Sequence, residues 1–355
     1  MSVWTSSIPF QTAKRGLMHM VRSGKDIWII NECDVFVLNT ELQKLFKVDV
    51  VLPPISFIVA VVAHVDKIFF WTQGDIIGHS LYQLDTNTTQ VELVIKAERI
   101  DGFVESATII GNVMYCLEDD FWNESLLLHK IDLVEKKMLD TRILKTLPMC
   151  GPNYELSSTN NDLYLLETER FENVRTVFKI GKDGLEQLHE EVYRGIVEID
   201  RFDSFFVRDE VDDASYYLDS FDFKTNKWNR IECEYHANWI RAVLKVDDIV
   251  YTIVTSNTIP DGNELRMLEQ SPSLEKRCIL NVIDEIIDSE DFSQVDEFVK
   301  WLPPMLKQTA SSMIDWRIRE YEYLMNITGN FMQPLRKDEE AQNGEVEESQ
   351  EMMEQ

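Results

Sequence analysis

The side chains of this chain that could do chemistry include six histidines, 63 acidic residues and five cysteines, and their spacing assigns them little of it. His19, His64, His79, His129, His189 and His236 form no H-x-H or H-E-x-x-H pair, so no local segment gathers zinc ligands. The acidic groups Asp209-Glu210-Val211-Asp212-Asp213, Asp247-Asp248 and Asp288-Ser289-Glu290-Asp291 lack the glycine and closing glutamate of a calcium loop. They read as solvated turns. No cysteine has a histidine beside it, no G-x-S-x-G elbow is present, and neither phosphate-loop signature occurs. No catalytic, cofactor-binding or metal-binding residue is assigned, and an enzyme is not expected.

Bulk properties narrow the classes further. Hydrophobic residues make up 44% and aromatics 10% of the 355 residues, enough for a packed core. The net charge is −28, from 35 basic against 63 acidic residues, which opposes nucleic acid and anionic membrane at long range. Cys33, Cys116, Cys150, Cys233 and Cys278 are scattered and odd in number, as expected of buried thiols in a reducing compartment. The N-terminus lacks the pattern of a secretory signal, and the longest apolar run, Ile55 to Val65, is about half a membrane span. A cytoplasmic protein is expected, with the nucleus as the other compartment.

Organisation comes from a repeat. A run ending in an aromatic (Trp28, Phe69, Tyr115, Tyr164, Phe206, Tyr251) is followed by a second run and a turn centred on Asn39, Asp85, Asp132, Gly181, Asp222 or Glu269. The turns lie 46, 47, 49, 41 and 47 residues apart, close to the period of a four-stranded propeller blade. Alternating segments bounded by Asp, Asn and Gly turns are what an antiparallel meander requires. The expected fold is all-β: a six-bladed β-propeller of four-stranded antiparallel blades over residues 1–287. Residues 2–6 or the region after 278 could supply the strand that closes the ring.

Beyond the repeat, Ser293-Gln-Val-Asp296 resembles a capping box, and Leu306, Ala310, Met313, Ile314 and Ile318 follow helical spacing. A helical extension is therefore expected over 288–329. Residues 330–355 are expected to be a disordered acidic tail, with eight acidic and no basic residues from 338 onward.

The fifth repeat resembles the kelch-type propeller family. Its Phe221-Asp222-Phe223-Lys224-Thr225-Asn226-Lys227-Trp228 matches that family's strand-into-acidic-turn phrase, and Leu84-Asp85-Thr86 and Ile131-Asp132-Leu133 are partial copies. The chain departs from the family in having no Gly-Gly pair. A WD-repeat propeller is the second resemblance, through Gly78-His79 alone. The kelch resemblance implies a protein-recognition role, and in many relatives recruitment to ubiquitin ligases.

A rigid propeller exposes its interstrand loops on two rims, and such loops suit recognition. Three loops carry large side chains: 119–124, 169–173 and 235–239. Phe121, Trp122 and Phe171 are the candidate partner-binding residues, and Trp239 is expected inside. The expected function is a non-catalytic protein-interaction scaffold or adaptor whose partner presents a basic surface. The alternative is an enzyme or small-ligand binder using the central channel, where His64 is the histidine best placed to face the axis.

Overall fold

The computed structural model describes residues 3–13, 17–53, 57–74, 78–97, 100, 102–146, 152–169, 174–192, 206–212, 215–231, 240–255 and 262–269, with isolated positions between 279 and 314. The chain forms a β-propeller. It divides into two compact units, Met1–Trp4 with Ile8–Ser271, and Thr5–Ser7 with Pro272–Gln355.

Blade I is β2 (His19–Ser23), β3 (Asp26–Ile30), β4 (Val35–Asn39) and β5 (Lys44–Val48), and β1 (Val3–Gln11) precedes it. Blade II is β6 (Phe57–His64), β7 (Lys67–Gly74), β8 (Gly78–Asp85) and β9 (Val91–Ala97). Blade III is β10 (Phe103–Ile110), β11 (Val113–Asp120), β12 (Ser125–Asp132) and β13 (Lys137–Thr146). Blade IV is β14 (Asn153–Thr159), β15 (Asp162–Glu169), β16 (Val174–Ile180) and β17 (Leu185–Val192). A three-stranded sheet follows, of β18 (Phe206–Asp212), β19 (Ser215–Asp222) and β20 (Lys227–Ile231). Blade V is β21 (Ile240–Val246), β22 (Ile249–Thr255) and β23 (Gly262–Glu269), completed by β1 on the outer side of β23. Where the sequence left two candidates for the closing strand, the N-terminal one supplies it.

The expectation of six four-stranded blades is therefore corrected to five complete blades. The Asp222 turn joins β19 to β20 as the Asp85 turn joins β8 to β9, so β18–β20 occupy the second to fourth positions of a repeat. The first position falls among residues 193–205, outside the described residues. The sequence Glu198-Ile-Asp-Arg-Phe-Asp203 has charges at four of its six positions, unlike the continuous apolar run of β6. The period counts turns and does not count the strands between them. The helical extension expected over 288–329 is likewise not supported. The described residues at 279, 282, 298–300, 307, 310, 311 and 314 have helical backbone, but none of the elements formed by the described residues is a helix. The acidic tail and Trp239 lie outside the described residues.

The turns explain the repeat. Asn39 accepts from the Leu42 amide, Asp85 from Asn87 and Thr88, Asp132 from Val134 and Glu135, and Asp222 from Lys224. Each turn then places its fifth residue, Gln43, Thr89, Lys136 or Asn226, at a φ of 50–58°. The short Asx side chain thus caps the loops that launch β5, β9, β13 and β20, whereas in blade IV the Gly181 amide donates to the Gly184 carbonyl. The Thr88 amide holds the Asp85 carboxyl below its ordinary range, and the Lys224 amide does the same for Asp222.

The loops between first and second strands also use left-handed backbone, at Gly24, Val65, Gly111, Asn160 and Asp247. Val65 is the costly one: a β-branched residue at φ 55°, 71% exposed. Val65→Asn is expected to raise stability by about 1 kcal/mol, because Asn tolerates this region and no buried contact is lost. Urea denaturation checks it; a loss of stability would show that the Val65 side chain holds the loop.

The core lies between blades. Val59, Trp71 and Leu81 of blade II pack with Val104, Met114, Cys116 and Ile131 of blade III. Blade III meets blade IV through Leu117, Leu126, Tyr154, Leu156 and Leu165. Trp71, Phe70, Leu81 and Ile131 are wholly buried, and burying each such side chain contributes roughly 1.5–3 kcal/mol. Blade IV meets the three-stranded sheet through Tyr164, Leu166, Val177 and Phe221. There the Arg175 guanidinium bonds Asp219 at 2.9 Å and covers the Trp228 ring at 3.9 Å, so the Trp of the kelch-like phrase is an inter-blade packing residue.

The first strands run in the same direction. His19 of β2 bonds the Ile58 carbonyl of β6 at 3.1 Å near the strand starts, and the Leu156 amide of β14 donates to Ser106 of β10 at mid-strand. Ser23 donates to the Val65 carbonyl, and Thr108 bonds Ser158, near the strand ends. One rim, the start rim, therefore gathers the beginnings of β2, β6, β10 and β14. The turns from second to third strand, such as 121–124, lie on that rim too. No helix among the described residues is long and apolar enough to cross a membrane.

Candidate functional site

Phe57 and Phe103 open β6 and β10, one repeat apart, and are 52% and 54% exposed. The turn between β11 and β12 presents Phe121, 57% exposed, and Trp122, 80% exposed, with ring centroids 6.0 Å apart at 77°. Leu17, Val51 and Val192 are also exposed at this end of their strands. The start rim of blades II and III is thus an aromatic surface beside acidic residues.

The register explains how the acids are placed. Phe103 faces Asp119 across β10 and β11, so their side chains share one face of the blade. Asp120 points to the other face and is buried, where it accepts from the Asn123 amide at 3.1 Å and its side-chain NH2 at 2.7 Å. These bonds close the turn that carries Phe121 and Trp122. Burial first, and then the Asp120 and Glu118 charges, push the Asp119 carboxyl above its ordinary range. No cation pairs with Asp119 among the described residues.

A raised carboxyl is a cost to the folded state above its folded pKa, because ionised Asp119 is less comfortable there than in the unfolded chain. The sign follows: Asp119→Asn is expected to raise Tm at pH 7, where Asp119 is charged. The gain should shrink as pH falls through the raised pKa and vanish below the ordinary carboxylate range, where both states are protonated. Thermal denaturation of the pair at pH 7 and pH 3 measures this. A lower Tm at pH 7 would mean that Asp119 has a stabilising partner.

Beneath the rim runs a buried polar chain. Glu118 and His129 are each 1% exposed. The Gly102 amide donates to Glu118 Oε1 at 2.6 Å, Glu118 Oε2 meets His129 Nε2 at 2.5 Å, and His129 Nδ1 meets Thr141 Oγ1 at 2.9 Å. A proton on Nε2 faces the carboxylate, and with the proton there Nδ1 takes the Thr141 hydroxyl. The chain ties residue 102, just before Phe103, to β11, β12 and β13. Gly102 is required by contact: a Cβ there would stand 2.1 Å from the Asp119 carbonyl oxygen.

On the blade IV side, the Tyr154 hydroxyl is buried without a hydrogen-bond partner among the described residues. Burial first, then the charges of Glu167, Asp119 and Glu169, drive its pKa far up. Lys145 bonds Glu167 at 2.7 and 2.8 Å and lies 5.6 Å over the Tyr154 ring.

The sequence candidates divide. Phe121 and Trp122 are exposed together on one turn, whereas Phe171 lies outside the described residues. His64 ends β6 on the far rim and is half-buried. Among the described residues no group of three or more His, Cys, Asp or Glu could hold a metal. Cys116 is buried, and burial followed by Glu118 pushes its thiol well up. Cys33, expected buried, is exposed, because Asn31 Oδ1 accepts from the Cys33 and Asp34 amides and forms a turn there. Sequence reasoning missed Phe57 and Phe103, which it placed at or beside inner strands without assigning exposure. Their recurrence at 46 residues was the available signal.

No protein-family profile and no curated protein matches the chain. Among solved structures, Kuenenia stuttgartiensis hydrazine synthase aligns over 69% of this chain and 76% of its own, at 13% identity and a TM-score of 0.47. A nidogen/laminin complex aligns over 65% and 86% at 12% identity and 0.44. A luciferin-regenerating enzyme aligns over 74% and 95% at 8% identity and 0.44. These are similarities of fold, and no site residue is carried over from them.

Proposed function

We propose that this chain is a non-catalytic protein-interaction scaffold or adaptor whose partner docks on the start rim of blades II and III. The observation that carries the reading is the exposure of Phe57, Phe103, Phe121 and Trp122 on one rim. Solvent-facing aromatics gathered in one place mark interaction surfaces, and aromatic side chains are frequent energetic anchors. The net charge of −28 favours a partner with a basic surface and disfavours nucleic acid and anionic membrane. The Asx-capped turns and the Asp222-to-Trp228 phrase support a kelch-like type of blade. That type adds an adaptor role toward a ubiquitin ligase, within the cytoplasm or nucleus, to the reading.

The test is affinity capture with the full chain at low and high salt, followed by binding of the purified partner to wild type and to Phe121→Ala/Trp122→Ala. A stoichiometric partner is expected, bound more weakly at high salt and at least tenfold more weakly by the double variant, or about 1.4 kcal/mol. A partner bound equally by both proteins would refute the start-rim reading.

A further inference from the structure

Asp119 is the feature that the scaffold reading leaves unexplained. It stands opposite Phe103, two residues before Phe121, and no cation among the described residues neutralises it. Across the blade boundary, close enough for the Asp119 charge to act on it, lies the Tyr154 hydroxyl, without a hydrogen-bond partner among the described residues, on a residue 4% exposed. The nearby base, Lys145, is committed to Glu167. An uncompensated carboxylate, an unpaired buried hydroxyl and three exposed aromatic rings therefore converge at the start-rim junction of blades III and IV.

We infer that this junction takes a lysine or arginine side chain of the partner protein, a specificity that rests on the rim-docking reading. The cation answers each of the three features. Its charge pairs with Asp119 in a partly desolvated place, where such pairing is stronger than in bulk water. An N–H can donate to the Tyr154 oxygen, while the Tyr154 hydroxyl remains free to donate to a carboxylate. Phe103, Phe121 and Trp122 offer ring faces and edges to the aliphatic stem and the cation. A bare metal ion fits worse, because it would find one free carboxylate beside rings that supply no ligand. The net charge of the chain would speed the approach of a basic partner, but the junction selects the anchoring side chain.

The pair of unsatisfied groups is also what a binding site looks like before its ligand arrives. Asp119 costs the free chain stability, and docking a cation would remove that cost. The same substitution that stabilises the free protein should therefore weaken binding.

The experiment pans a displayed random 12-residue peptide library on the full chain. Binding of the selected peptides is then measured by calorimetry on wild type, Asp119→Asn, Tyr154→Phe and Phe121→Ala/Trp122→Ala. Spermidine and zwitterionic vesicles serve as competing probes. Peptides carrying Lys or Arg beside apolar residues are expected. Asp119→Asn should weaken them at least tenfold, and Tyr154→Phe about threefold. Replacing the peptide's Lys by norleucine, or its Arg by citrulline, should cost a similar factor on wild type and little on Asp119→Asn.

Selected peptides without basic residues, or unchanged affinity in Asp119→Asn, would overturn the cation subsite. So would displacement of the peptide by micromolar spermidine, or binding of the tip to vesicles. The scaffold reading survives these outcomes if the aromatic double variant still loses the peptides. Recovery of no peptide, or of peptides indifferent to the double variant, overturns both.

Discussion

Gly102→Ala should unfold the propeller more readily than any other single methyl added on the start rim. The added carbon would sit 2.1 Å from the Asp119 carbonyl oxygen and 2.9 Å from the Asp120 Cα, both backbone atoms. No rotamer change relieves such a contact, so either the segment before β10 or the end of β11 must move. Movement of residue 102 also withdraws its amide from Glu118. Overpacking costs about 1–3 kcal/mol, and an orphaned buried carboxylate oxygen adds about 1–3 kcal/mol. A loss of about 3 kcal/mol or more is expected in urea denaturation, with weaker partner binding even where the protein stays folded. A loss under about 1 kcal/mol would show that the loop shifts freely and that Phe103 is not held by it.

Glu118→Ala is the second large effect, and it acts by subtraction. The carboxylate is shared by the Gly102 amide and the His129 ring, and none of these groups reaches water. Removing it leaves a buried amide and a buried imidazole facing a void. Breaking a buried pair by removing one partner costs about 3–5 kcal/mol. Glu118→Gln should cost less, because its carbonyl can accept from Gly102 and its NH2 can donate to His129 Nε2 once the ring proton moves to Nδ1 and is donated to the Thr141 hydroxyl. The contrast separates hydrogen bonding from volume. Equal losses for Ala and Gln would mean that the carboxylate itself is required.

The part of this architecture legible in the sequence is the part written in turns. Asn39, Asp85, Asp132 and Asp222 each cap their own loop, a local act that needs no distant residue, so their spacing survives as a period. A strand's place in a sheet depends instead on neighbours far along the chain. For that reason the turn period overcounted: the Asp222 turn is intact, while the sheet it belongs to has three described strands. Ring closure was open for the same reason, since the pairing of β1 with β23 joins segments about 260 residues apart.

The site was legible where chemistry is local. Phe121 and Trp122 follow three acids in a turn, and a turn tip between two apolar strands is solvated almost by construction. Phe57 was hidden because it begins a run of seven apolar residues, and the next four are buried as an inner strand should be. The polar chain from Gly102 to Thr141 was out of reach, because its members are separated by 16, 11 and 12 residues and meet through strand register. Tyr154 and Asp119 come together only across two blades.

The most direct test of the central claim, that the start rim of blades II and III is the binding surface, is hydrogen exchange of the chain with and without its captured partner. Slowed exchange is expected at residues 57–59, 102–104 and 119–124, with no change at the far-rim turns around Val65, Gly111 and Asn160. Protection confined to the far-rim turns or to the outer strands β5, β9 and β13, with the start rim unchanged, would contradict the account.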